Sequence, residues 1–111
     1  MVEIKRGDVA IVALPGDYGK PRPAIVVQNN NLARDFDSVI VCPLTSDDTR
    51  HEVARIFVAP TPANGLASPS NIMIDKIATV PGAKISRVVG HLDDATISRL
   101  NFSLSAILGL L

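Results

Sequence analysis

The sequence predicts a mainly β protein, an antiparallel barrel or sandwich that ends in a single α-helix. Two observations carry this prediction. Six apolar runs of about four to eight residues, rich in valine and isoleucine, follow one another at intervals of about a dozen residues. After the last run, the spacing of the apolar residues changes to three and four, which is typical of a helix with one buried face.

Turn-forming residues separate the apolar runs and set their limits. Proline, glycine and asparagine supply most of these breaks, and Asn64-Gly65 is a strong turn signal. No connection holds a helix long enough for the crossover that parallel strands need, so we expect antiparallel pairing. The predicted strands cover residues 8–14, 24–28, 38–44, 53–59, 72–74 with 76–80, and 84–89.

The tail of the chain is predicted to form one amphipathic helix over residues 94–108. Asp93 or Asp94 can cap its first amides, and Gly109 stands where such a helix ends. One further turn of helix is expected over residues 32–36. The apolar face of the C-terminal helix consists of Ala95, Ile97, Leu100, Leu104, Ile107 and Leu108.

Length and composition exclude several classes of protein. The 111 residues fit one domain, 1–111, and 47% hydrophobic against 20% charged residues argues against disorder. The formal net charge is +0, so broad nonspecific affinity for nucleic acid or anionic membranes is not expected. No apolar run approaches the roughly 18 residues of a membrane helix, so we expect a cytoplasmic protein that does not contact a membrane.

Several apolar side chains can be assigned to the core or to an interface. Cys42 lies inside the third run and is predicted to be a small buried hydrophobe. Three phenylalanines are assigned to the core as well: Phe36, Phe57 and Phe102. The stretches 9–14 and 107–111 carry more apolar surface than a small barrel needs, so we expect a homodimer.

Metal and cofactor sites are not expected. His51-Glu52 begins like a zinc-protease motif, but Arg55 stands where the second histidine is required. The spacing of Cys42, His51 and His91 matches no zinc site. We therefore expect neither a metal nor a cofactor.

Four segments of the sequence form a specific pattern. They are Gly7-Asp8-Val9, Lys20-Pro21-Arg22-Pro23-Ala24-Ile25-Val26-Val27, Val41-Cys42-Pro43-Leu44-Thr45-Ser46 and Ser70-Asn71-Ile72-Met73-Ile74-Asp75-Lys76-Ile77, the last followed by Lys84-Ile85 and Gly90-His91-Leu92-Asp93-Asp94. Their order and spacing resemble the MazF/PemK family of toxins from bacterial toxin–antitoxin pairs. The resemblance covers residues 4–110.

The resemblance implies both a fold and a function. The fold would be an SH3-like β-barrel of the CcdB/MazF type, assembled as a homodimer. The function would be sequence-specific, metal-independent cleavage of single-stranded RNA, with mRNA, tRNA and rRNA as candidate substrates, which inhibits translation and growth. A cognate antitoxin would cover the RNA groove, and DNA would be contacted only through that antitoxin. Two alternatives stay open: a CcdB-like toxin that binds a protein such as DNA gyrase, and a non-catalytic barrel module.

Arg22 and Thr45 suit the chemistry that the resemblance implies. In metal-free cleavage the ribose 2′-hydroxyl attacks the neighbouring phosphorus, so charge on the phosphoryl oxygens must be stabilised. The guanidinium of Arg22 can bind phosphate through two hydrogen bonds, and the prolines on both sides restrict its backbone. The family places a phosphate-binding threonine or serine at the position of Thr45, with Ser46 as a weaker neighbour. Without the resemblance, Arg22 reads equally well as a solvated loop residue, and Thr45 reads as a turn residue.

Two carboxylates are candidates for the base that takes the 2′ proton. Asp17 precedes Arg22 by five residues, a distance at which some family members carry a glutamate, but it also fits a simple turn. Asp75 lies in the segment where other members carry an acidic residue, and it can equally anchor the fold. Histidine is a common acid or base in catalysis, yet the positions of His51 and His91 give less reason to assign them such a role.

The expected RNA contacts are one aromatic and several basic side chains. Tyr18 can stack on an unpaired base, which is how single-stranded RNA is commonly bound. The basic residues expected to attract the RNA backbone are Lys20, Lys76 and Lys84. The sequence that is cut depends on the loops 17–20, 47–52 and 60–64, whose conformations the sequence does not define.

Overall fold

The computed structural model describes residues 2–32, 37–47 and 53–111. The predicted turn of helix over 32–36, the core assignment of Phe36 and the histidine His51 fall wholly or largely outside these residues. The described elements are seven strands, two one-turn 3₁₀ helices and one α-helix. They are β1 (Asp8–Ala13), β2 (Pro21–Val26), β3 (Ser38–Thr45), β4 (Arg55–Val58), β5 (Ser70–Met73), a 3₁₀ turn (Ile74–Lys76), β6 (Ala78–Pro81), a second 3₁₀ turn (Gly82–Lys84), β7 (Ile85–His91) and α1 (Asp94–Ile107).

The strands form one antiparallel sheet in the order β4-β5-β3-β2-β1-β7, and β6 pairs with β3 beside this path. The prediction of a mainly β fold with a C-terminal helix is confirmed. Among the described strands, β4 and β7 lie at opposite ends of the order and do not pair, so the ladder is not closed into a ring.

The eight-residue strand β3 is the hub of the sheet because it changes partners along its length. Its residues 41–43 pair with β2, its residues 38–41 pair with β6, and Leu44 and Thr45 pair with β5. Strands β2 and β3 therefore run together only over three residues in the described ladder and then separate. This separation leaves an opening at the start of β2.

Both faces of the central strands are buried. Alternate residues of a strand point to opposite faces, and they divide here between two apolar clusters. One cluster includes Val9, Ile25, Cys42, Ile72 and Leu100, and the other includes Ala10, Val12, Ala24, Val26, Val39 and Val41. This explains why the sequence shows continuous apolar runs instead of strict alternation. The homodimer was expected from two apolar stretches, 9–14 and 107–111. The first no longer supports it, since Val9, Ala10 and Val12 are buried within the monomer.

Helix α1 begins and ends with specific hydrogen bonds. The Asp93 carboxylate accepts a hydrogen bond from the Thr96 amide at 2.8 Å, so Asp93 is the N-cap. Gly109 adopts a left-handed conformation with φ of 73°, and the amide of Leu110 donates to the carbonyl of Ser105 at 2.7 Å. This is a Schellman motif, and it ends the helix one residue before the predicted limit. Fully buried Leu100 holds the helix against the sheet.

The core assignment of two phenylalanines is wrong. Phe57 is 45% exposed and Phe102 is 61% exposed. On β4, Phe57 alternates with the buried Ile56, so it points away from the core. On α1, Phe102 lies two residues from Leu100, which places it on the opposite side of the helix. The final apolar residues are exposed as well: Ile107, Leu108, Leu110 and Leu111.

A search of the described residues for membrane spans finds no helix whose length and apolar character would allow it to cross a bilayer.

Cys42 is fully buried, as predicted, and this gives a pH-dependent contribution to stability. Burial raises the pKa of its thiol from 9.0 to about 12. Because the pKa is higher in the folded state, the stabilisation is complete below about pH 9 and is lost as the pH rises towards 12. We expect the free energy of unfolding to fall more steeply between pH 9 and pH 11 in the wild type than in Cys42→Ala, measured by urea denaturation. Identical slopes for the two proteins would contradict this.

Candidate active site

The connection between β1 and β2 is a tight turn that presents an aromatic side chain to solvent. The amide of Asp17 donates to the carbonyl of Leu14 at 3.2 Å, and the amide of Lys20 donates to the carbonyl of Asp17 at 3.0 Å. Tyr18 has a φ of 53°, a left-handed conformation that is uncommon for a bulky side chain, and it is fully exposed. Unusual backbone of this kind is often kept where a side chain has a binding role.

Arg22 lies inside strand β2, not in the loop before it. The predicted second strand begins at residue 24, yet Pro21, Arg22 and Pro23 also pair with β1. In the described ladder, β3 pairs with β2 only at residues 24–26. Prolines are tolerated at 21 and 23 because no amide hydrogen bond to β3 is required there. The guanidinium of Arg22 is thus carried by a strand whose backbone is held by pairing with β1 and by the rings of Pro21 and Pro23.

A cavity of about 400 Å³ fills the opening between β2 and β3. Arg22 and Thr45 line it from the two diverging strands, Asp17 lines it from the turn, and Ser46 follows Thr45. Four of the predicted site residues therefore meet in one place. The remaining lining residues are Leu14, Pro23, Pro43, Leu44, Ser68, Ser70 and Met73.

A weak ion pair crosses the cavity wall. The Nε of Arg22 lies 3.4 Å from Oδ2 of Asp17, and the two side chains are 44% and 30% exposed. An exposed pair at this distance contributes little to stability and can be exchanged for another anion. The hydroxyl oxygen of Thr45 accepts a hydrogen bond from the amide of Asp47 at 3.1 Å, which fixes its position while its own hydrogen can still be donated.

Three further lining residues of the cavity were not predicted as site residues. They are Ser68, Ser70 and Met73, and the hydroxyl of Ser70 donates to the carbonyl of Ser68 at 3.0 Å. Ser70 and Met73 belong to β5, which pairs with β3 through Leu44 and Thr45. The sequence pattern includes these two residues, but the strand register is what brings them to the cavity.

Asp75 lies elsewhere in the described structure. It belongs to the 3₁₀ turn after β5, does not line the cavity of Arg22, and forms an ion pair with Arg55. The Arg55 side chain is only 12% exposed and that of Asp75 is 38% exposed, so the pair joins β4 to the turn. Lys76 is exposed in the same turn and is also absent from the cavity lining. Of the two candidate bases, Asp17 is the one that stands beside Arg22.

A second cavity of about 400 Å³ shares the lining residue Leu14 with the first. Tyr18 and Lys84 line it, together with the turn glycines Gly16 and Gly19. The predicted RNA-binding residues Tyr18 and Lys84 are therefore neighbours. Lys20 is exposed and lines neither of these two cavities.

His91 has a structural partner. Its Nδ1 lies 2.7 Å from Oδ1 of the buried Asp8, and the ring packs against Gly7. It lines a different cavity, at the N-terminal end of α1. A search of the described residues for groups of three or more histidine, cysteine, aspartate or glutamate side chains able to hold a metal finds none.

Residues 5–108 match the model of the PemK-like, MazF-like toxins of type II toxin–antitoxin systems. The chain belongs to the PemK/MazF toxin family. It is 40% identical over 108 residues to a probable endoribonuclease MazF of Mycolicibacterium smegmatis, with 96% of this chain and 98% of that protein aligned. It is 25% identical over 112 residues to the endoribonuclease EndoA of Bacillus subtilis, with 97% of each chain aligned.

Solved structures of this family share the fold. An endoribonuclease from a mycobacterial species, in complex with its cognate antitoxin, superposes with a TM-score of 0.82 at 24% identity, covering 98% of both chains. The Mycobacterium tuberculosis toxin MazF-mt6 superposes with a TM-score of 0.78 at 22% identity, covering 92% of this chain and 96% of the other. The predicted class, a MazF-like endoribonuclease toxin of a toxin–antitoxin system, is confirmed by the family and sequence matches, which support it over the CcdB-like alternative.

The ion pair between Asp17 and Arg22 gives a test of whether the cavity binds anions. In Asp17→Asn the guanidinium keeps its charge and loses its competitor, so we expect inorganic phosphate to bind about two- to five-fold more tightly. NMR titration that follows the amides of Thr45 and Ser46 measures this affinity. Asp75→Asn is the matched control, since its partner lies outside the cavity. Equal affinities of Asp17→Asn and the wild type would show that the cavity does not hold phosphate at Arg22.

Proposed function

We propose that the chain, as a single 1–111 domain, cleaves single-stranded RNA at specific sequences by attack of the ribose 2′-hydroxyl, without a metal ion. One observation carries this proposal: Arg22 and Thr45, which are far apart in sequence, line one open cavity together with a carboxylate. A fixed cation, a hydroxyl donor and a base are what the transesterification of RNA requires.

Arg22 and Thr45 bind the phosphate that is cut. The 2′ oxygen attacks phosphorus, the bond from phosphorus to the 5′ oxygen breaks, and the products are a 2′,3′-cyclic phosphate and a 5′-hydroxyl. Negative charge grows on the phosphoryl oxygens during this step. The guanidinium of Arg22 and the hydroxyl of Thr45 stand on the two sides of the cavity, so both can donate hydrogen bonds to that charge.

Asp17 is the group in this cavity that can take the 2′ proton. Its distance of 3.4 Å from Arg22 exceeds that of a good hydrogen bond, so a phosphate can take its place at the guanidinium. The displaced carboxylate then stays within the cavity as the base. Because the cavity is open to solvent at Arg22, water can supply the proton that the leaving 5′ oxygen needs. The alternative base, Asp75, is occupied by Arg55.

The neighbouring cavity extends the RNA path. Tyr18 stands fully exposed on a hydrogen-bonded turn, where its ring can stack on a base next to the cut phosphate. Lys84 borders the same cavity and can pair with a backbone phosphate. Ser46 lies beside Thr45 and can donate to a further oxygen, while Lys20 and Lys76 would act only through long-range attraction. Leu14 lines both cavities, and we propose that the RNA passes over it from one to the other.

The partners follow from the family. Solved relatives include an endoribonuclease in complex with its cognate antitoxin and a MazE-MazF structure, and we propose that a cognate antitoxin covers the RNA path of this chain and neutralises it. Contact with DNA would then occur only through the antitoxin. The exposed apolar residues at 107–111 support a homodimer. The natural substrates would be mRNA, tRNA or rRNA in the cytoplasm, and their cleavage would stop translation and growth.

Cleavage in the presence of a chelator tests the chemistry. We expect the purified protein to cut a mixed-sequence RNA in excess EDTA, because Arg22 and Thr45 supply the phosphate contacts and Asp17 supplies the base without a metal ion. Mapping of the ends should give 5′-hydroxyl termini that cluster at one short sequence. Loss of cleavage with EDTA would exclude this mechanism, and intact RNA under all conditions would favour a toxin that binds a protein or a non-catalytic module.

Replacement of Arg22 tests the phosphate contact. We expect Arg22→Ala to lower the single-turnover cleavage rate by at least about 10²-fold, the size typical of losing one charge-stabilising donor. Arg22→Lys should recover only part of this, since an ammonium cannot donate the two parallel hydrogen bonds of a guanidinium. Arg87→Ala, an exposed arginine of β7, is the control and should cleave normally. If circular dichroism shows that Arg22→Ala unfolds the protein, the arginine is structural and the assignment fails.

A further inference from the structure

Asn71 is a buried amide beside the cavity that Arg22 and Thr45 line. It lies on β5, is 4% exposed, and stands directly opposite Thr45 in the antiparallel pair of β5 and β3. The side chains of opposite residues in such a pair lie on the same face of the sheet. Ser70 and Met73 of the same strand line the cavity, but Asn71 does not. Asn71 is therefore placed to act on the cavity through another residue.

Two hydrogen bonds connect Asn71 to the hydroxyl of Thr45. The Nδ2 of Asn71 donates to the carbonyl of Asp47 at 3.2 Å. The amide of the same Asp47 donates to the hydroxyl oxygen of Thr45 at 3.1 Å. Asp47 lies two residues beyond the end of β3, where the described ladder to β5 no longer holds the backbone. Asn71 thus holds the residue that orients the Thr45 hydroxyl.

Stability gives no reason for an amide at position 71. Within the described structure, the Oδ1 of Asn71 is buried and has no hydrogen-bond partner. A buried acceptor without a partner lowers the free energy of unfolding, and an apolar side chain of similar size would not carry this cost. Asp47 is exposed, so water could bind its carbonyl if the amide were absent. The bond that Asn71 donates is therefore better explained by a role in the site than by a role in folding.

The orientation of the Thr45 hydroxyl matters because it has a single hydrogen to donate. A hydroxyl rotates to suit its surroundings, so a bond to its oxygen favours some directions of its hydrogen over others. The amide of Asp47 supplies that bond, and it does so from a backbone that Asn71 holds. Donors that are already aimed need no reorganisation when charge develops on a reacting group.

We propose that Asn71 is a positioning residue for RNA cleavage, which holds Asp47 so that the Thr45 hydroxyl points at the phosphate that is cut. The inference rests on the proposed function, in which Thr45 binds that phosphate. Charge on the phosphoryl oxygens grows during the reaction, so an aimed donor stabilises the transition state more than the bound substrate. Loss of Asn71 therefore lowers the rate of cleavage and leaves the affinity for RNA nearly unchanged.

Replacement of Asn71 by leucine tests the effect on the rate. Leucine has a similar size but cannot donate a hydrogen bond. We expect Asn71→Leu to lower the single-turnover rate at saturating RNA at least about five-fold, because the reacting groups are less well oriented. The Kd for a non-cleavable RNA with a 2′-deoxy nucleotide at the cut site should change less than about two-fold. The free energy of unfolding in urea should stay equal or rise, since the unpartnered acceptor is removed.

A double-mutant cycle with Thr45→Val tests the route by which Asn71 acts. Without the Thr45 hydroxyl, the orientation that Asn71 supplies has nothing to act on. Asn71→Leu should therefore change the cleavage rate of Thr45→Val less than about two-fold. A residue that merely supports the fold would slow both backgrounds by the same factor, and that result would overturn the inference.

Gln28→Leu is the matched control. Gln28 is also a buried amide whose Nε2 has no partner within the described structure, and it does not line the cavity. This variant should cleave RNA at the wild-type rate. Asn71→Ala is a second test variant, too small to clash with its neighbours, and it should lose rate as Asn71→Leu does.

The possible results separate this inference from the proposed function. Wild-type rates in both Asn71 variants would overturn the positioning role and leave the proposed function intact. Unfolding of both variants, seen by circular dichroism, would show that the amide is structural and would also overturn it. Failure of the wild type to cleave RNA would overturn the proposed function and this inference with it.

Discussion

The cavity that we propose as the active site depends on the point at which the ladder between β2 and β3 ends. On one side of β3 that ladder stops at Pro43, and on the other side the partner changes from β6 at Val41 to β5 at Leu44. Pro43 has no amide to donate and lies at this interruption. Strands β2 and β3 separate there, and Arg22 and Thr45 line the opening between them. A ladder that continued would have closed this space.

The rest of the fold keeps that opening in position. Apolar clusters cover both faces of the sheet formed by β1, β2 and β3, and Leu100 of α1 packs into one of these clusters. Arg22 and Thr45 are therefore carried by packed strands, while Asp17 and Tyr18 lie on a hydrogen-bonded turn. The overall charge of the protein is zero. Under the proposed function, attraction for RNA comes from these few groups, which favours selective over general binding.

Much of the fold and half of the site could be predicted from the sequence, and the exceptions have physical reasons. Apolar runs mark the strands because burial on both faces leaves few polar positions, and Asp93 and Gly109 mark the helix ends. Register is not visible in the sequence, so the serines at 68 and 70 were missed. The second strand was predicted from residue 24 because its apolar run starts there, but the prolines at 21 and 23 extend it, since the described ladder to β3 does not reach them. Asp75 has the right type and family position, but its partner Arg55 comes from a distant strand.

The most direct test of the account is a double-mutant cycle on RNA cleavage with Arg22→Lys and Thr45→Val. If both side chains bind the same phosphate, their effects on the single-turnover rate should not add, and the coupling should reach about 0.5–3 kcal/mol. Groups that act at separate places should add to within about 0.3–0.5 kcal/mol. Additive effects would contradict a shared phosphate and with it the assignment of the cavity.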